Sequence, residues 1–164
     1  MSPREPLWPE PVQRVSAFLR AAAVNATVQE FPDGTPTARE AAHAIGCDPA
    51  QIVKSLVFVC DGVAVLALVP GDRRCDESKV AAEAGAAAAR IADPAEVVAA
   101  TGFEPGAVAP FPQRAVAQTF IDRLLLQHGA VWIGGGSSRH MVALAPSDLA
   151  RLTGAKHADL VAAR

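Results

Sequence analysis

The sequence predicts a protein of the α+β class with a largely antiparallel or mixed sheet. Two apolar runs, over 49–60 and 63–69, are separated only by Asp61-Gly62, a pair typical of a two-residue hairpin turn. Helical segments begin at capping residues and end at glycines, and this mixture of hairpins and separated helices indicates the α+β class. The length of 164 residues predicts a single domain over 1–164.

The first half of the chain is predicted to form a helix, a strand, a second helix and a hairpin. An amphipathic pattern predicts the first helix over 9–24, and a short strand follows over 27–31. Thr37 is predicted to cap the second helix, with Glu40 completing a capping box and Gly46 ending it. The hairpin then occupies the two apolar runs.

The second half is predicted to alternate short helices and strands around one unusual loop. A helix over 76–84 ends at Gly85, and another starts at Asp93-Pro94 and ends at Gly102. Further strands are predicted over 88–91, 116–121, 130–133 and 140–144, and further helices over 122–127 and 146–152. The segment 102–113 contains too many glycines and prolines for an element and too many apolar residues for a solvated loop, so we expect it to pack against the body.

A lysine near the start of the 49–60 strand is the most informative residue. By the two-residue strand period Lys54 shares a face with Leu56 and Phe58, and the chain has only three lysines against twelve arginines. A charged amine beside apolar neighbours is costly unless it reaches water or a partner. Two interpretations stay open: the side chain extends to solvent at a strand end, or the ammonium faces a pocket that receives an anion or a carbonyl oxygen.

The composition excludes several classes of protein. Half of the residues are apolar and the mean hydropathy is +0.21, which indicates a globular chain. No apolar run is long enough to span a membrane and the first ten residues lack a signal-peptide pattern, so we expect a cytoplasmic location and no membrane partner. The three cysteines are widely spaced without a Cys-x-x-Cys pair, which predicts reduced thiols rather than disulfides or a zinc knuckle.

The net charge of −2 limits how the chain could bind nucleic acid. A protein with extended phosphate contacts would usually be basic, so we expect no DNA partner and only a few local contacts to any RNA. The candidates, each of which could equally be a solvated surface charge, are Arg73, Arg74, Lys79, Arg114, Arg123 and Arg139.

The common catalytic signatures are missing from the sequence. No nucleophile elbow, Walker loop or zinc-protease motif occurs, and no three ligands stand at metal spacing, so we expect neither a metal nor a cofactor. The remaining candidates for a functional site are Lys54, His140 and two loops over 102–111 and 134–138. Backbone amides in these loops could stabilise an oxyanion or a phosphate, and His140 is the only histidine expected near a site. Hydroxyl groups are available at Thr35, Ser55, Ser137 and Ser138. This set suits hydrolysis or binding of an ester next to a phosphodiester, but it lacks an obvious general base.

Four sequence motifs occur in succession along the chain. They are QIVKSLVFV from Gln51, VLALVPGDRR from Val65, ADPAEVVAATGFEPGAVAPF from Ala92 and WIGGG from Trp132. In order and spacing they resemble the YbaK and prolyl-tRNA-synthetase-associated editing domains. The resemblance implies an N-terminal helix region over 1–26 and an editing domain over 27–160, built on a curved mixed sheet. It also implies hydrolysis, in trans, of mischarged tRNA, chiefly tRNA for proline carrying Ala, Ser, Thr or Cys.

The resemblance also assigns roles to residues. The catalytic set would be Lys54 together with Gly106 and Pro110, the ends of the family's G-x-x-x-P loop. In the family the lysine engages the terminal adenosine, the loop backbone holds the aminoacyl group and the attacking water, and the 2′-hydroxyl of the substrate stands in for the missing base. The residues expected to bind the substrate are Thr35, Ser55, Ala107, Gly134, Gly135, Gly136 and His140.

Three positions depart from the family pattern and leave the specificity open. Ala107 stands where many members have a second glycine, Ser55 where many alanine-editing members have asparagine, and His140-Met141 where some cysteine-editing members have aspartate. The expected partner is the aminoacylated acceptor end of tRNA, with transient contact to prolyl-tRNA synthetase or an elongation factor. An alternative is a non-catalytic regulatory module that binds an aminoacyl or nucleotide ligand in the same pocket.

Overall fold

The computed structural model describes residues 7–164. Residues 1–6 lie outside this range. Two predictions include them: the single domain over 1–164 and the absence of a signal peptide. The helices of the described chain are α1 (Glu10–Ala21), α2 (Ala38–Ile45), α3 (Glu77–Ala84), α4 (Pro94–Thr101) and α5 (Pro146–Thr153). Its strands are β1 (Val28–Glu30), β2 (Val53–Cys60), β3 (Val63–Pro70), β4 (Ala89–Ile91), β5 (Gln118–Asp122), β6 (Val131–Gly134), β7 (His140–Leu144) and β8 (Lys156–Ala158).

The strands form two sheets, which confirms the predicted α+β class with mixed pairing. The larger sheet has the order β4-β2-β3-β5-β8, in which β2 pairs antiparallel with β3 and β4, while β5 pairs parallel with β3 and β8. The smaller sheet has the order β1-β7-β6 and is antiparallel throughout. A single parallel bridge between Ile52 and Trp132 joins the start of β2 to the smaller sheet.

The predicted hairpin and most helix ends form as local sequence chemistry requires. Asp61 and Gly62 both have positive φ, 50° and 82°, as a tight two-residue turn between twisted strands demands. Thr37 accepts a hydrogen bond from the Glu40 amide at 3.1 Å, but the reciprocal bond of the predicted capping box is missing there. Complete capping boxes form at Asp48 with Gln51 and at Asp93 with Glu96. The predicted glycine stops after α2, α3, α4 and α5 all have left-handed backbones.

One local prediction needs correction, and one strand was not predicted. Residues Pro49–Gln51 form a 3-10 turn rather than the start of a strand, because Asp48 caps them and Pro49 sets a helical φ. The short helix predicted over 122–127 is present as a 3-10 helix over Arg123–Gln127. Strand β8 carries no apolar alternation and was not predicted from the sequence; it forms through its parallel pairing with β5.

The apolar core lies on both faces of the larger sheet. The main cluster fills the space between the two sheets and is covered by α1, α4 and α5, with Val12, Val15 and Leu19 of α1 fully buried. The segment 102–113 packs into this cluster as predicted, with Phe111 buried and stacked on Phe18 at 4.6 Å between ring centroids. Within residues 7–164, no helix is long and apolar enough to cross a membrane.

A buried carboxylate ties the C-terminal segment to the sheet. Asp122, at 1% exposure, accepts hydrogen bonds from the amides of Leu124 at 2.9 Å and Leu160 at 2.8 Å. Leu160 is fully buried, so without the carboxylate its amide would lose its partner away from water.

We therefore expect Asp122→Ala to lower the free energy of unfolding by about 3 kcal/mol, because each buried polar group left unsatisfied costs about 1–3 kcal/mol. Urea denaturation measures the change. The matched control is Asp148→Ala, which removes an exposed carboxylate paired with Arg151 and should cost about 0.5 kcal/mol or less. Equal losses in the two variants would contradict a structural role for Asp122.

Candidate active site

An open cavity of about 480 Å³ lies where the two sheets meet. The start of β2, the N-terminus of α2, the loop around Gly106 and the facing ends of β6 and β7 form its walls. Its lining residues are Thr35, Pro36, Thr37, Ala38, Arg39, Ala41, Ile52, Val53, Lys54, Ser55, Gly71, Gly106, Ala107, Val108, Gly134, Ser137, His140 and Met141. Its volume falls in the range of small-molecule binding sites.

Lys54 lines this cavity, and its amine forms one hydrogen bond to the protein backbone. Nζ donates a hydrogen bond to the backbone carbonyl of Arg73 at 2.6 Å. Burial lowers the pKa of Lys54, and nearby Cys75 and Asp72 oppose that effect to a lesser extent. Burial also raises the pKa of the Cys75 thiol to about 11. Because an ammonium has three N–H donors, two are left for water or a ligand in the cavity.

Beside Lys54 the cavity wall carries a hydroxyl without a partner. The Oγ atom of Ser55 is buried and has no hydrogen-bond partner among the described residues. Buried polar groups are normally hydrogen-bonded, so an unpaired hydroxyl in a cavity wall is a group that a ligand or water can satisfy. Ser55, predicted as a substrate-binding residue, therefore lies at the cavity.

A second cation stands at the cavity mouth. Arg39 is exposed in the first turn of α2, and no ion pair or hydrogen bond of its guanidinium is found within residues 7–164. The amides of Ala38 and Arg39 face no intrahelical acceptor, as at every helix start. Arg39 was not predicted as a site residue, because a lone arginine on a short helix has no sequence signal that separates it from a surface charge.

Two loops meet across the cavity through close backbone contact. A Cβ atom on Gly134 would lie 2.6 Å from the carbonyl oxygen of Val108, so only glycine lets the end of β6 approach the 106–110 loop this closely. Gly71 is similarly confined, since a Cβ there would lie 2.6 Å from the Cβ of Ala38. Gly106 has φ of 81°, a left-handed conformation that favours glycine.

His140 is buried in the wall, and both of its ring nitrogens face polar groups. Nδ1 lies 2.6 Å from the Oγ of Ser137, and Nε2 lies 3.3 Å from a carboxylate oxygen of Glu30. The second contact is within ion-pair distance but falls short of hydrogen-bond geometry. Trp8 packs edge-on against the imidazole at 5.4 Å between ring centroids.

Seven of the ten predicted site residues line the cavity, and three do not. Pro110 is buried behind the loop, so it shapes the loop rather than contacting the cavity. Gly135 packs against His140, and Gly136 packs against the backbone of Pro11, where Cβ atoms would come within 2.8 Å. The seven that line it are Thr35, Lys54, Ser55, Gly106, Ala107, Gly134 and His140.

The residues predicted to supply hydroxyl groups also divide into those that line the cavity and one that does not. Thr35 lines the cavity and both its amide and its hydroxyl donate to the Ser138 carbonyl, at 2.7 and 3.2 Å. Ser137 lines the cavity, whereas the exposed Ser138 does not. The role of Ser138 in this wall is therefore carried by its backbone.

The basic residues predicted as RNA contacts lie mostly elsewhere. Arg73, Lys79 and Arg123 line a separate groove. There Lys79 lies 3.2 Å and Arg123 3.7 Å from Asp159, and Arg73 donates to the Ala162 carbonyl. Within residues 7–164, no three His, Cys, Asp or Glu side chains cluster as metal ligands would.

Comparison with known proteins identifies relatives over most of the chain. Residues 33–152 match the model of the aminoacyl-tRNA editing domain family. A proline–tRNA ligase of Nitratidesulfovibrio vulgaris is 36% identical over 113 residues, which are 68% of this chain and 20% of the ligase, so the chain spans about a fifth of that relative. The uncharacterized protein YwhH of Bacillus subtilis is 32% identical over 130 residues, 79% of this chain and 82% of YwhH.

A solved structure shares the whole architecture. A crystal structure described as a candidate trans-editing enzyme for prolyl tRNA synthetase superposes with a TM-score of 0.89 at 38% identity, and the match covers 95% of this chain and 99% of the other. The family match covers well over half of the chain, and the fold agrees along nearly all of it. The chain therefore belongs to the aminoacyl-tRNA editing domain family.

Proposed function

We propose that this protein hydrolyses, in trans, the ester bond of mischarged tRNA, with tRNA for proline carrying a small amino acid such as Ala, Ser, Thr or Cys as its substrate. The observation that carries the proposal is the Lys54 ammonium, held by one carbonyl and open to the cavity with two further donors. The partner is the aminoacylated acceptor end. Transient contact with prolyl-tRNA synthetase or an elongation factor is part of the proposal.

The charge of the cavity suits the 3′ end of a tRNA. Lys54 and Arg39 are its two fully cationic lining residues, and the terminal nucleotide brings a phosphodiester and several ribose oxygens. Charge-assisted hydrogen bonds from Lys54 and Arg39 to such oxygens are about twice as strong as neutral ones. The few cations also agree with a protein that binds one end of an RNA rather than a long stretch of phosphates.

The loop over 106–110 can stabilise the reaction at the ester carbon. The Ala107 amide already donates to the Glu104 carbonyl at 3.0 Å, whereas the Val108 amide has no acceptor among the described residues. In the proposed reaction water attacks the ester carbon and the carbonyl oxygen gains negative charge, and such an amide can stabilise that charge by donating a hydrogen bond to the oxygen. One proton of the water passes by way of the substrate's 2′-hydroxyl to the departing 3′-oxygen, so the bond between the ester carbon and that oxygen breaks and the ribose leaves with a free hydroxyl. The amino acid leaves as a carboxylic acid, and it becomes a carboxylate by releasing the second proton of the water to solvent.

The non-catalytic alternative uses the same cavity and makes a different prediction. A binding module would retain the aminoacyl or nucleotide ligand without releasing free amino acid. Incubation with alanine-, serine- and threonine-charged tRNA for proline separates the two, because only an enzyme releases amino acid in excess of its own concentration.

We expect Lys54→Ala to lower the deacylation rate by about 100-fold or more, because the loss of one preorganised donor to a charged group typically has that effect. The free energy of unfolding should change by about 1 kcal/mol at most, since the change removes one hydrogen bond to a carbonyl. Single-turnover deacylation and urea denaturation measure the two quantities.

The matched control for this substitution is Lys156→Ala, which removes an exposed lysine that lies 3.6 Å from Glu83. It should leave the deacylation rate unchanged. Full activity of Lys54→Ala, or an equal loss in the control, would refute the role of Lys54.

The walls near the loop predict selection by size. Ala107 and Val108 present only small apolar side chains to the cavity, so they can exclude a bulky group but cannot form a side-chain hydrogen bond. Exclusion of a large group can be strong, whereas one methylene is worth only about 1–3 kcal/mol in an apolar pocket. Neighbouring small amino acids should therefore be poorly distinguished.

Across a panel of charged tRNAs, we expect the alanine, serine and 2-aminobutyrate esters to react within about 200-fold of one another. Proline, leucine and phenylalanine esters should react more slowly than all three. The variant Ala107→Val, which narrows the wall, should slow the 2-aminobutyrate ester more than the alanine ester. Rapid loss of proline from its own tRNA, or a preference for leucine or phenylalanine, would contradict selection by size.

A further inference from the structure

Glu30, His140 and Ser137 form a chain of polar contacts that ends at the cavity. Glu30 and His140 are direct partners in the antiparallel pairing of β1 with β7, and Ser137 precedes β7 in the loop. The His140 side chain is 4% exposed, whereas the Glu30 side chain is 50% exposed at the other end of the chain. Ser137 and His140 line the cavity, but Glu30 does not. The carboxylate therefore acts on the cavity only through the imidazole.

The contacts of His140 favour one arrangement of donors and acceptors. A carboxylate 3.3 Å from Nε2 favours a proton on that nitrogen, and a neutral imidazole with Nε2–H has Nδ1 as an acceptor. The Ser137 hydroxyl then donates to Nδ1 across 2.6 Å, while its oxygen accepts the amide of Arg139 at 3.0 Å. One acceptor site on Oγ stays open, and the hydrogen bond to His140 together with the nearby charge of Glu30 makes that oxygen more negative.

The remaining charges of the cavity define what this oxygen can bind. Lys54 and Arg39 suit the phosphate and ribose of the terminal nucleotide, but they repel the second charged group of an aminoacyl ester, its α-ammonium. That ammonium needs an acceptor with negative potential, and burying it without one is costly. The Glu30 carboxylate lies 3.3 Å from the imidazole of His140, which lines the cavity, and Asp72 is the carboxylate near Lys54.

We propose that Ser137 binds the α-ammonium of the aminoacyl group, and that His140 and Glu30 are positioning residues that orient and polarise its hydroxyl. This inference rests on the proposed function. It adds the residue that recognises the α-ammonium, a group that every aminoacyl ester carries irrespective of its side chain. The protein should therefore prefer an aminoacyl ester to the matching hydroxyacyl ester.

The test compares alanyl-tRNA with lactyl-tRNA, in which a hydroxyl replaces the ammonium at nearly equal size. Rates are measured near pH 6.5, where an α-amino group is mostly protonated, and each is divided by the uncatalysed hydrolysis rate of the same ester. The full chain should show a kcat/KM for the alanyl ester at least about tenfold above that for the lactyl ester, the factor expected for one charge-assisted hydrogen bond.

Three variants and two controls test whether Ser137 and Glu30 cause the preference for the alanyl ester. Ser137→Ala and Glu30→Gln should each reduce the alanyl-to-lactyl ratio several-fold, mainly through the KM of the alanyl ester, and Ser137→Thr should restore most of it. Two matched controls should leave the ratio unchanged. Ser138→Ala removes a neighbouring exposed hydroxyl while keeping the carbonyl that Thr35 binds, and Glu40→Gln removes an exposed carboxylate of α2.

A binding experiment separates this inference from the proposed function. Adenosine carrying alanine or lactate through a non-hydrolysable 3′-amide is titrated against the same proteins. If no ester is hydrolysed but the alanyl analogue still binds about tenfold tighter through Ser137 and Glu30, the inference holds and the hydrolase proposal fails. An alanyl-to-lactyl ratio near one in the full chain, or a ratio that Ser137→Ala and Glu30→Gln leave unchanged in both assays, overturns the inference.

Discussion

The cost of keeping an ammonium partly buried is the constraint on which this site depends. Lys54 lies on a strand whose neighbours are apolar, and burial lowers its pKa. The Arg73 carbonyl offsets part of the cost by accepting one hydrogen bond, and the remaining donors are satisfied only by what enters the cavity. A ligand with oxygens and negative charge is therefore favoured at this position, which links the strand's sequence directly to the chemistry proposed for the protein.

The cavity itself exists because backbones approach closely at glycines. Gly134 lets the smaller sheet reach the 106–110 loop, and Gly71 lets the turn after β3 pack under α2. The bridge between Ile52 and Trp132 fixes the start of β2 against the smaller sheet. Side chains at these glycines would push the walls apart, so the positions of Lys54, the loop amides and His140 relative to one another depend on them.

The sequence predicted the local parts of this structure well and the assembly less well. Caps such as Asp93, glycine stops and the Asp61-Gly62 turn were predicted because each depends on a few neighbouring residues. The parallel pairing of β3 with β5 joins residues about fifty positions apart and had no local signal, and neither did β8. Lys54 and His140 stood out because a polar group interrupts an apolar strand or follows a glycine loop. Arg39 was identified as a cavity residue only from the structure, in which the N-terminus of α2 lies beside the cavity.

The most direct test of the account is a crystal structure with adenosine linked to alanine through a 3′-amide, a non-hydrolysable analogue of the charged end. We expect the analogue to bind in the cavity, with an oxygen of its nucleoside within about 3.2 Å of Lys54 Nζ. We also expect the amide carbonyl of the analogue to face the 106–108 backbone. Binding in the groove formed by Arg73, Lys79 and Arg123, or a Lys54 amine that contacts only the Arg73 carbonyl in the complex, would contradict it.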